Sequence, residues 1–109
     1  MEIETLNKNM QFKRVYYRGK SIVSPVLVIY VLRTGADKNR IGITTSKKIG
    51  KSVVRNRARR VIKSAFSEIA GSLPVGYDIV LVARKRTAEM KSPQIRQVMK
   101  GNMKLLMKK

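Results

Sequence analysis

The 109-residue sequence contains no cysteine and no histidine. These absences exclude disulfide frameworks, zinc fingers, thiol nucleophiles and every histidine-based catalytic triad. The longest unbroken apolar run, Val26–Leu32, is far shorter than the roughly 20 residues of a membrane-spanning helix. The acidic N-terminus also lacks the charged-then-apolar plan of a signal peptide. Together these features predict a soluble protein of the cytoplasm.

Acidic residues are scarce, since six aspartates and glutamates stand against 25 lysines and arginines, which leaves a formal charge of +19. Such a charge repels itself unless a negatively charged partner neutralises it. Nucleic acid is the favoured partner because each neutralised phosphate releases a counterion. An anionic membrane surface and an acidic protein are the alternatives. With 43% hydrophobic residues, the chain can still bury the core of one domain, predicted over residues 1–109.

Hydrophobic periodicity predicts an α+β fold with the element order α-β-β-β-α-β-α. The first helix begins at Asn9, with Phe12, Val15 and Tyr16 on one face. A long helix over residues 53–70 ends before Gly71, and the last helix covers residues 92–106. Strands are predicted over residues 22–23, 26–32, 40–45 and 77–83.

The densest basic cluster lies at the start of the long helix, where residues 47–63 include eight basic side chains and no acidic one. An ordinary solvated helix face mixes charges of both signs, whereas this one accepts like-charge repulsion. Its four arginines also favour bidentate contacts with phosphate. The candidate nucleic-acid-binding residues here are Lys47, Lys48, Lys51, Arg55, Asn56, Arg57, Arg59, Arg60 and Lys63.

Two smaller groups are further candidates. The aromatic residues Phe12, Tyr16, Tyr17 and Tyr30 are interleaved with basic side chains, a pattern that fits stacking on unpaired nucleotides and fits core packing equally well. Arg84 and Lys85 follow the last predicted strand and form a weaker candidate site.

Catalysis by the chain itself is not expected. The six carboxylates are scattered, and no pair of them has the spacing of an acid–base couple or a metal site. No glycine-rich phosphate-binding motif is present either. The sequence therefore predicts that the protein binds no cofactor alone and that a partner performs any chemistry.

The run TSKKIGKSVVRNR at residues 45–57, followed by Arg59 and Arg60, resembles the RNR signature of the bacterial ribonuclease P protein component. The similarity extends to the opening helix of that family at residues 6–21. Its strands match residues 28–32, 40–43 and 78–85. The resemblance covers nearly the whole chain in the family's order.

The resemblance implies a small α/β sandwich with a four-stranded sheet. It also implies a left-handed βαβ crossover that includes the RNR helix, against the usual right-handed rule. Family members join a catalytic RNA, and the holoenzyme removes the 5′ leader of precursor tRNA with magnesium ions held by the RNA. The protein binds that RNA, grips the leader in a cleft between the first helix and the sheet, and raises the affinity for substrate and metal ions.

Matched to this family, the nine residues of the basic segment contact the catalytic RNA. Phe12, Tyr16 and Tyr30 match the leader cleft, and Arg84 and Lys85 match a basic strand end near the RNA. Thr5 and Asn7 stand where family members often have additional basic residues, a departure that predicts weaker N-terminal contacts with RNA.

Three other functions compete with this one. Charge alone would also suit a structural ribosomal or RNA-chaperone protein, or a DNA-binding architectural protein whose basic helix lies in a major groove. The ordered RNR segment beside the Phe12 and Tyr16 helix favours the ribonuclease P subunit, with no DNA partner. A membrane-surface helix is disfavoured because the core needs the apolar stripe of the long helix.

Overall fold

The computed structural model describes residues 4–107, which form one five-stranded sheet and three α-helices. The strands are β1 (Glu4–Thr5), β2 (Lys20–Val23), β3 (Leu27–Arg33), β4 (Arg40–Thr44) and β5 (Tyr77–Ala83). The α-helices are α1 (Asn9–Arg18), α2 (Ser52–Ile69) and α3 (Ser92–Leu106). The predicted domain limits at residues 1 and 109 lie outside the described residues.

The predicted order of helices and strands is confirmed from α1 onward, but the four-stranded sheet is wrong. A fifth strand, β1, precedes α1 and pairs in parallel with β4, with Glu4 opposite Arg40 and Thr5 opposite Ile41. Both β1 residues are exposed, so this strand has no alternation of buried and exposed positions to reveal it. Only its pairing with β4 defines it.

The strand order across the sheet is β1-β4-β5-β3-β2. The central strand β5 pairs antiparallel with β3 and parallel with β4. Parallel neighbours cannot be joined by a tight turn, so the chain must cross from one end of the sheet to the other between β4 and β5. Helix α2 makes that crossing, which confirms the predicted βαβ unit. The left hand of the crossover stays a prediction from the family resemblance.

The sheet has helices on both faces. The main core fills one face, where β3 and β5 pack against α2 and α3, and its fully buried side chains include Leu27, Ile29, Ile79, Leu81, Ile62, Met99 and Met103. A smaller cluster of Leu6, Val15 and Val80 lies between the opposite face and α1. Burial on both faces explains why β5 is apolar at nearly every position instead of alternating.

One polar residue interrupts β5. Asp78 is 1% exposed, and its carboxylate accepts hydrogen bonds from Nε of Arg40 at 2.8 Å and from Nη2 at 2.7 Å. The hydrogen bond to Asp78 raises the pKa of the Arg40 guanidinium. Because Arg40 lies opposite Asp78 in the β4–β5 register, the pair joins the two parallel strands near their N-terminal ends.

Replacing Arg40 with methionine should destabilise the protein by about 2–3 kcal/mol, because the buried Asp78 carboxylate loses the cation that is paired with it. The measurement is the midpoint of urea unfolding. Lys91→Met removes the same charge from an exposed position and should change the stability by less than about 0.5 kcal/mol. Equal midpoints for the two variants would contradict a structural role for the pair.

Candidate RNA interface

Helix α2 separates its residues sharply into two faces. Ala58, Ile62, Ala65, Phe66 and Ile69 are buried against the sheet and α3. The opposite face is exposed and basic, and its predicted binding residues are Asn56, Arg57, Arg59, Arg60 and Lys63. Although α2 has 18 residues, no helix within residues 4–107 is long and apolar enough to cross a membrane.

The basic surface continues into the segment before α2. Lys47 and Lys48 lie exposed on a short 3-10 helix (Lys47–Ile49), and the exposed Lys51 immediately precedes α2. Gly50 has φ 144°, a conformation that favours glycine, and a Cβ atom there would lie 3.1 Å from the Val54 side chain. The turn therefore places lysines around the positive N-terminal end of a helix with no acidic residue in its first turn.

Among the arginines of α2, Arg59 is distinguished by side-chain hydrogen bonds to residues at the end of β4. Its Nη1 donates to the carbonyl oxygen of Ile43 at 3.1 Å, and its Nη2 donates to Oγ1 of Thr45 at 3.2 Å. These bonds join α2 to the end of β4. Sequence reasoning missed this role, since nothing in the local pattern distinguishes Arg59 from Arg60.

Arg55 is the least exposed arginine of the segment. It is half-buried, and its Nε atom is buried without a hydrogen-bond partner among the described residues. A buried donor with no acceptor is costly. An anion at this position would supply the missing acceptor.

The predicted aromatic residues meet on the other face of the sheet. The rings of Tyr16 and Tyr30 form an edge-to-face pair with centroids 4.9 Å apart. Burial raises the pKa of the Tyr16 hydroxyl; the hydrogen bond it shares with the Thr44 side chain opposes this rise, and the charge interaction with Tyr30 adds to it. Both side chains keep part of their surface open to solvent.

Phe12 lies beside this pair and packs on the backbone of β4. A Cβ atom at Gly42 would come within 2.4 Å of the Phe12 ring, so only glycine lets the ring lie so close to the strand. Phe12 and Tyr30 also border the small cluster around Val15 and Val80. The structure thus places the three residues of the predicted cleft on one face of the sheet, where Phe12 and Tyr30 contact the core and Tyr16 contacts Tyr30.

Tyr17, by contrast, lies outside the cleft and is 86% exposed.

Arg84 and Lys85 follow the end of β5. Arg84 donates from Nη1 to the carbonyl oxygen of Ser24 at 3.1 Å, which joins β5 to the turn between β2 and β3. Lys85 is exposed at the start of a 3-10 helix (Lys85–Glu89). Because β4 and β5 are parallel, Arg84 leaves the same end of the sheet from which the chain enters the α2 segment.

Within residues 4–107, no group of three or more acidic side chains could hold a metal ion. Three carboxylates are instead paired with cations. Besides Asp78 with Arg40, Glu68 accepts a hydrogen bond from Arg96, and Glu4 lies 3.8 Å from Nζ of Lys38.

Comparison with known proteins identifies the fold. The family model described as ribonuclease P matches residues 2–107. A ribonuclease P protein component of Clostridium kluyveri is 46% identical over 87 residues, which cover 78% of this chain and 78% of that protein. The corresponding protein of Caldanaerobacter subterraneus subsp. tengcongensis is 44% identical over 88 residues, with 81% and 76% covered.

Solved structures agree with these sequence matches. The RNase P protein of Staphylococcus aureus superposes with a TM-score of 0.80 at 30% identity and covers 95% of each chain. The RNase P protein from Thermotoga maritima gives a TM-score of 0.82 at 28% identity, over 94% of this chain and 96% of the other. The family resemblance seen in the RNR segment is confirmed: the chain belongs to the ribonuclease P protein family, whose members are subunits of the ribonucleoprotein enzyme that processes the 5′ ends of tRNA.

Proposed function

We propose that this chain binds the catalytic RNA of ribonuclease P through the basic surface of α2 and binds the 5′ leader of precursor tRNA in the aromatic cleft under α1. The observation that carries the proposal is the outer surface of α2 from Arg55 to Lys63, which has no acidic residue and whose cations have few partners within residues 4–107. Arg57, Arg60 and Lys63 are exposed and make no hydrogen bond or ion pair with any residue in 4–107. Phosphates of the RNA would neutralise them.

The basic residues of this surface would have different roles in binding RNA. Arg57, Arg60 and Lys63 can turn toward phosphates, and the lysines before α2 extend the same surface. Arg55 offers a buried donor to an RNA oxygen. Arg59 would keep the orientation of α2 relative to β4 and add its charge to the surface. Arg84 and Lys85 would add a weaker contact at the same end of the sheet.

The cleft suits an unpaired RNA strand. Single-stranded nucleotides bind by stacking their bases on aromatic side chains, which tolerates variation in sequence. Phe12, Tyr16 and Tyr30 offer such surfaces, and packing holds them in place: Tyr16 packs edge-to-face on Tyr30, and Phe12 and Tyr30 pack on the small cluster beneath α1. The 5′ leader is a single-stranded segment that mature tRNA lacks, so the cleft would distinguish precursor tRNA from mature tRNA.

The chemistry would belong to the RNA and its magnesium ions. Asp78, Glu68 and Glu4 are already paired with cations, which leaves them poorly suited to proton transfer or metal binding. The protein would raise the affinity of the holoenzyme for substrate and for metal ions. We place this activity in the cytoplasm, where tRNA processing would give the chain its substrate.

The direct test is cleavage of the 5′ leader from a precursor tRNA by a bacterial ribonuclease P RNA at low magnesium. Three reactions are compared: RNA alone, protein alone, and both together. Cleavage by the mixture with no cleavage by the protein alone is the expected result. Binding to that RNA without any stimulation of cleavage would instead favour a structural RNA-binding or chaperone protein.

Arg57→Ala and Arg60→Ala should each weaken binding to the catalytic RNA. The logarithmic salt dependence of the affinity should fall by about 1 for each lost phosphate contact. Because both side chains are exposed, the free energy of unfolding should change by less than about 0.5 kcal/mol. Binding is measured by filter retention across a salt series. An unchanged slope would remove these residues from the interface.

Arg59→Lys should lower the stability of the protein and leave its binding to RNA nearly unchanged. Lysine keeps the positive charge, but without a planar guanidinium it cannot bridge Ile43 and Thr45. We expect a loss of about 1 kcal/mol in stability and a nearly unchanged salt slope. Arg60→Lys is the matched control and should keep wild-type stability, as measured by thermal unfolding. Equal stability of the two variants would contradict the anchoring role of Arg59.

Tyr16→Ala should weaken binding of leader-bearing precursor tRNA by about tenfold, which corresponds to one lost base-stacking contact. Its affinity for mature tRNA should not change. Tyr17→Ala is the matched control, because it removes the same side chain from the same helix outside the cleft. Phe12→Ala should likewise weaken binding of precursor tRNA and leave binding of mature tRNA unchanged. Equal losses for precursor and mature tRNA would contradict the cleft assignment.

A further inference from the structure

A second basic groove lies at the other end of the sheet from the lysines that precede α2. Arg18, Lys20 and Arg33 line its sides, and Val31, Tyr77 and Leu106 contribute to its floor. The three cations come from the end of α1, the start of β2 and the end of β3.

These cations are exposed, and none makes a hydrogen bond or an ion pair with any residue in 4–107. No acidic residue lines the groove, and Asp78, the neighbour of Tyr77 in β5, is already bound to Arg40. Folding therefore brings three positive side chains from separate elements around one groove, and no acidic residue that lines the groove neutralises them. Their mutual repulsion would be relieved by a bound polyanion.

The apolar floor restricts what the groove can hold. Val31, Tyr77 and Leu106 are each more than nine-tenths buried, so they offer little surface to an apolar ligand. The available chemistry lies in the guanidinium and ammonium groups at the rim. Arginine side chains bind phosphate through paired N–H donors, and lysine contributes a point charge. A chain of phosphates fits this arrangement better than a hydrophobic peptide.

The groove and the aromatic cleft meet round the end of the sheet. Arg33 is three residues from Tyr30 on β3, so its side chain lies on the opposite face of the sheet, the face that α3 covers. Arg18 and Leu32 also line the groove and belong to the cleft side, because Arg18 ends α1 and Leu32 packs on the small cluster beneath α1. An RNA strand that contacts both sites would therefore pass round the end of β3. Between the two sites, the α1–β2 junction passes so close to β3 that a Cβ atom at Gly19 would lie 2.5 Å from the carbonyl oxygen of Val31.

We propose that Arg18, Lys20 and Arg33 bind backbone phosphates of the same RNA strand that occupies the cleft, so that a long 5′ leader contacts both sites. This inference rests on the proposed leader cleft and extends it by a purely electrostatic subsite. The aromatic cleft stacks bases near the cleavage site, and the groove holds phosphates farther along the strand.

The test uses the double variant Lys20→Gln/Arg33→Gln in the reconstituted holoenzyme. Arg18 is left intact because it also favours the C-terminal end of α1. The matched control, Lys91→Gln/Lys100→Gln, removes the same charge from exposed positions outside the groove. Dissociation constants are measured for precursor tRNAs with leaders of about 3 and about 10 nucleotides, lengths chosen from the site sizes of single-strand binders.

The double variant should bind the long-leader precursor about tenfold more weakly than wild type and bind the short-leader precursor equally well. Its salt slope for the long leader should fall by about 1.4, the value for two lost contacts on a single strand. The control double variant should keep the wild-type affinities for both precursors. Loss of affinity for both precursors, or for the catalytic RNA alone, would assign the groove to another RNA surface and overturn the proposal.

Failure of this subsite can be told from failure of the cleft. If wild type prefers long leaders and Tyr16→Ala abolishes that preference while the double variant keeps it, the cleft stands and the groove proposal is wrong. If wild type shows no preference between leaders and mature tRNA, the cleft assignment fails as well.

Discussion

The apolar stripe of α2 packs against the sheet, and most of the functional geometry depends on that contact. Because β4 and β5 are parallel, the chain has to cross the length of the sheet between them, and α2 makes this crossing. Burial of Ala58, Ile62 and Phe66 sets the rotation of the helix about its own axis. Asn56, Arg57, Arg59, Arg60 and Lys63 must then face outward, because they lie on the opposite side of the helix.

The charged residues of this protein have two roles: some form ion pairs within the fold, and others leave an excess of positive charge on its surface. Three of the few carboxylates are paired with cations, and the most buried of these pairs is Arg40–Asp78 between the parallel strands. Many of the remaining cations lie in excess on the outer face of α2 and around the groove at the far end of the sheet. Such an excess costs stability through repulsion, so a bound polyanion should stabilise the fold as well as complete its function.

Periodicity in the sequence predicted the helices and the long strands because each of them buries a regular set of apolar residues. Strand β1 escaped prediction because its two exposed residues have no such pattern. The basic segment was recognised from its composition, and the family resemblance that it suggested was confirmed. Its individual roles were not predictable: Arg59 and Arg60 are adjacent and chemically identical, yet only Arg59 reaches Ile43 and Thr45.

The sequence by itself determined the element types from α1 onward, the amphipathic faces, the excess of positive charge and the class of partner, because these properties depend on residues that are close along the chain. Tertiary structure alone decided which distant side chains meet. Tyr16 contacts Tyr30 because α1 lies across β3, and Arg18, Lys20 and Arg33 converge because three elements end at one corner. The physical reason is that local patterns record burial, whereas contacts between distant residues depend on strand order and register.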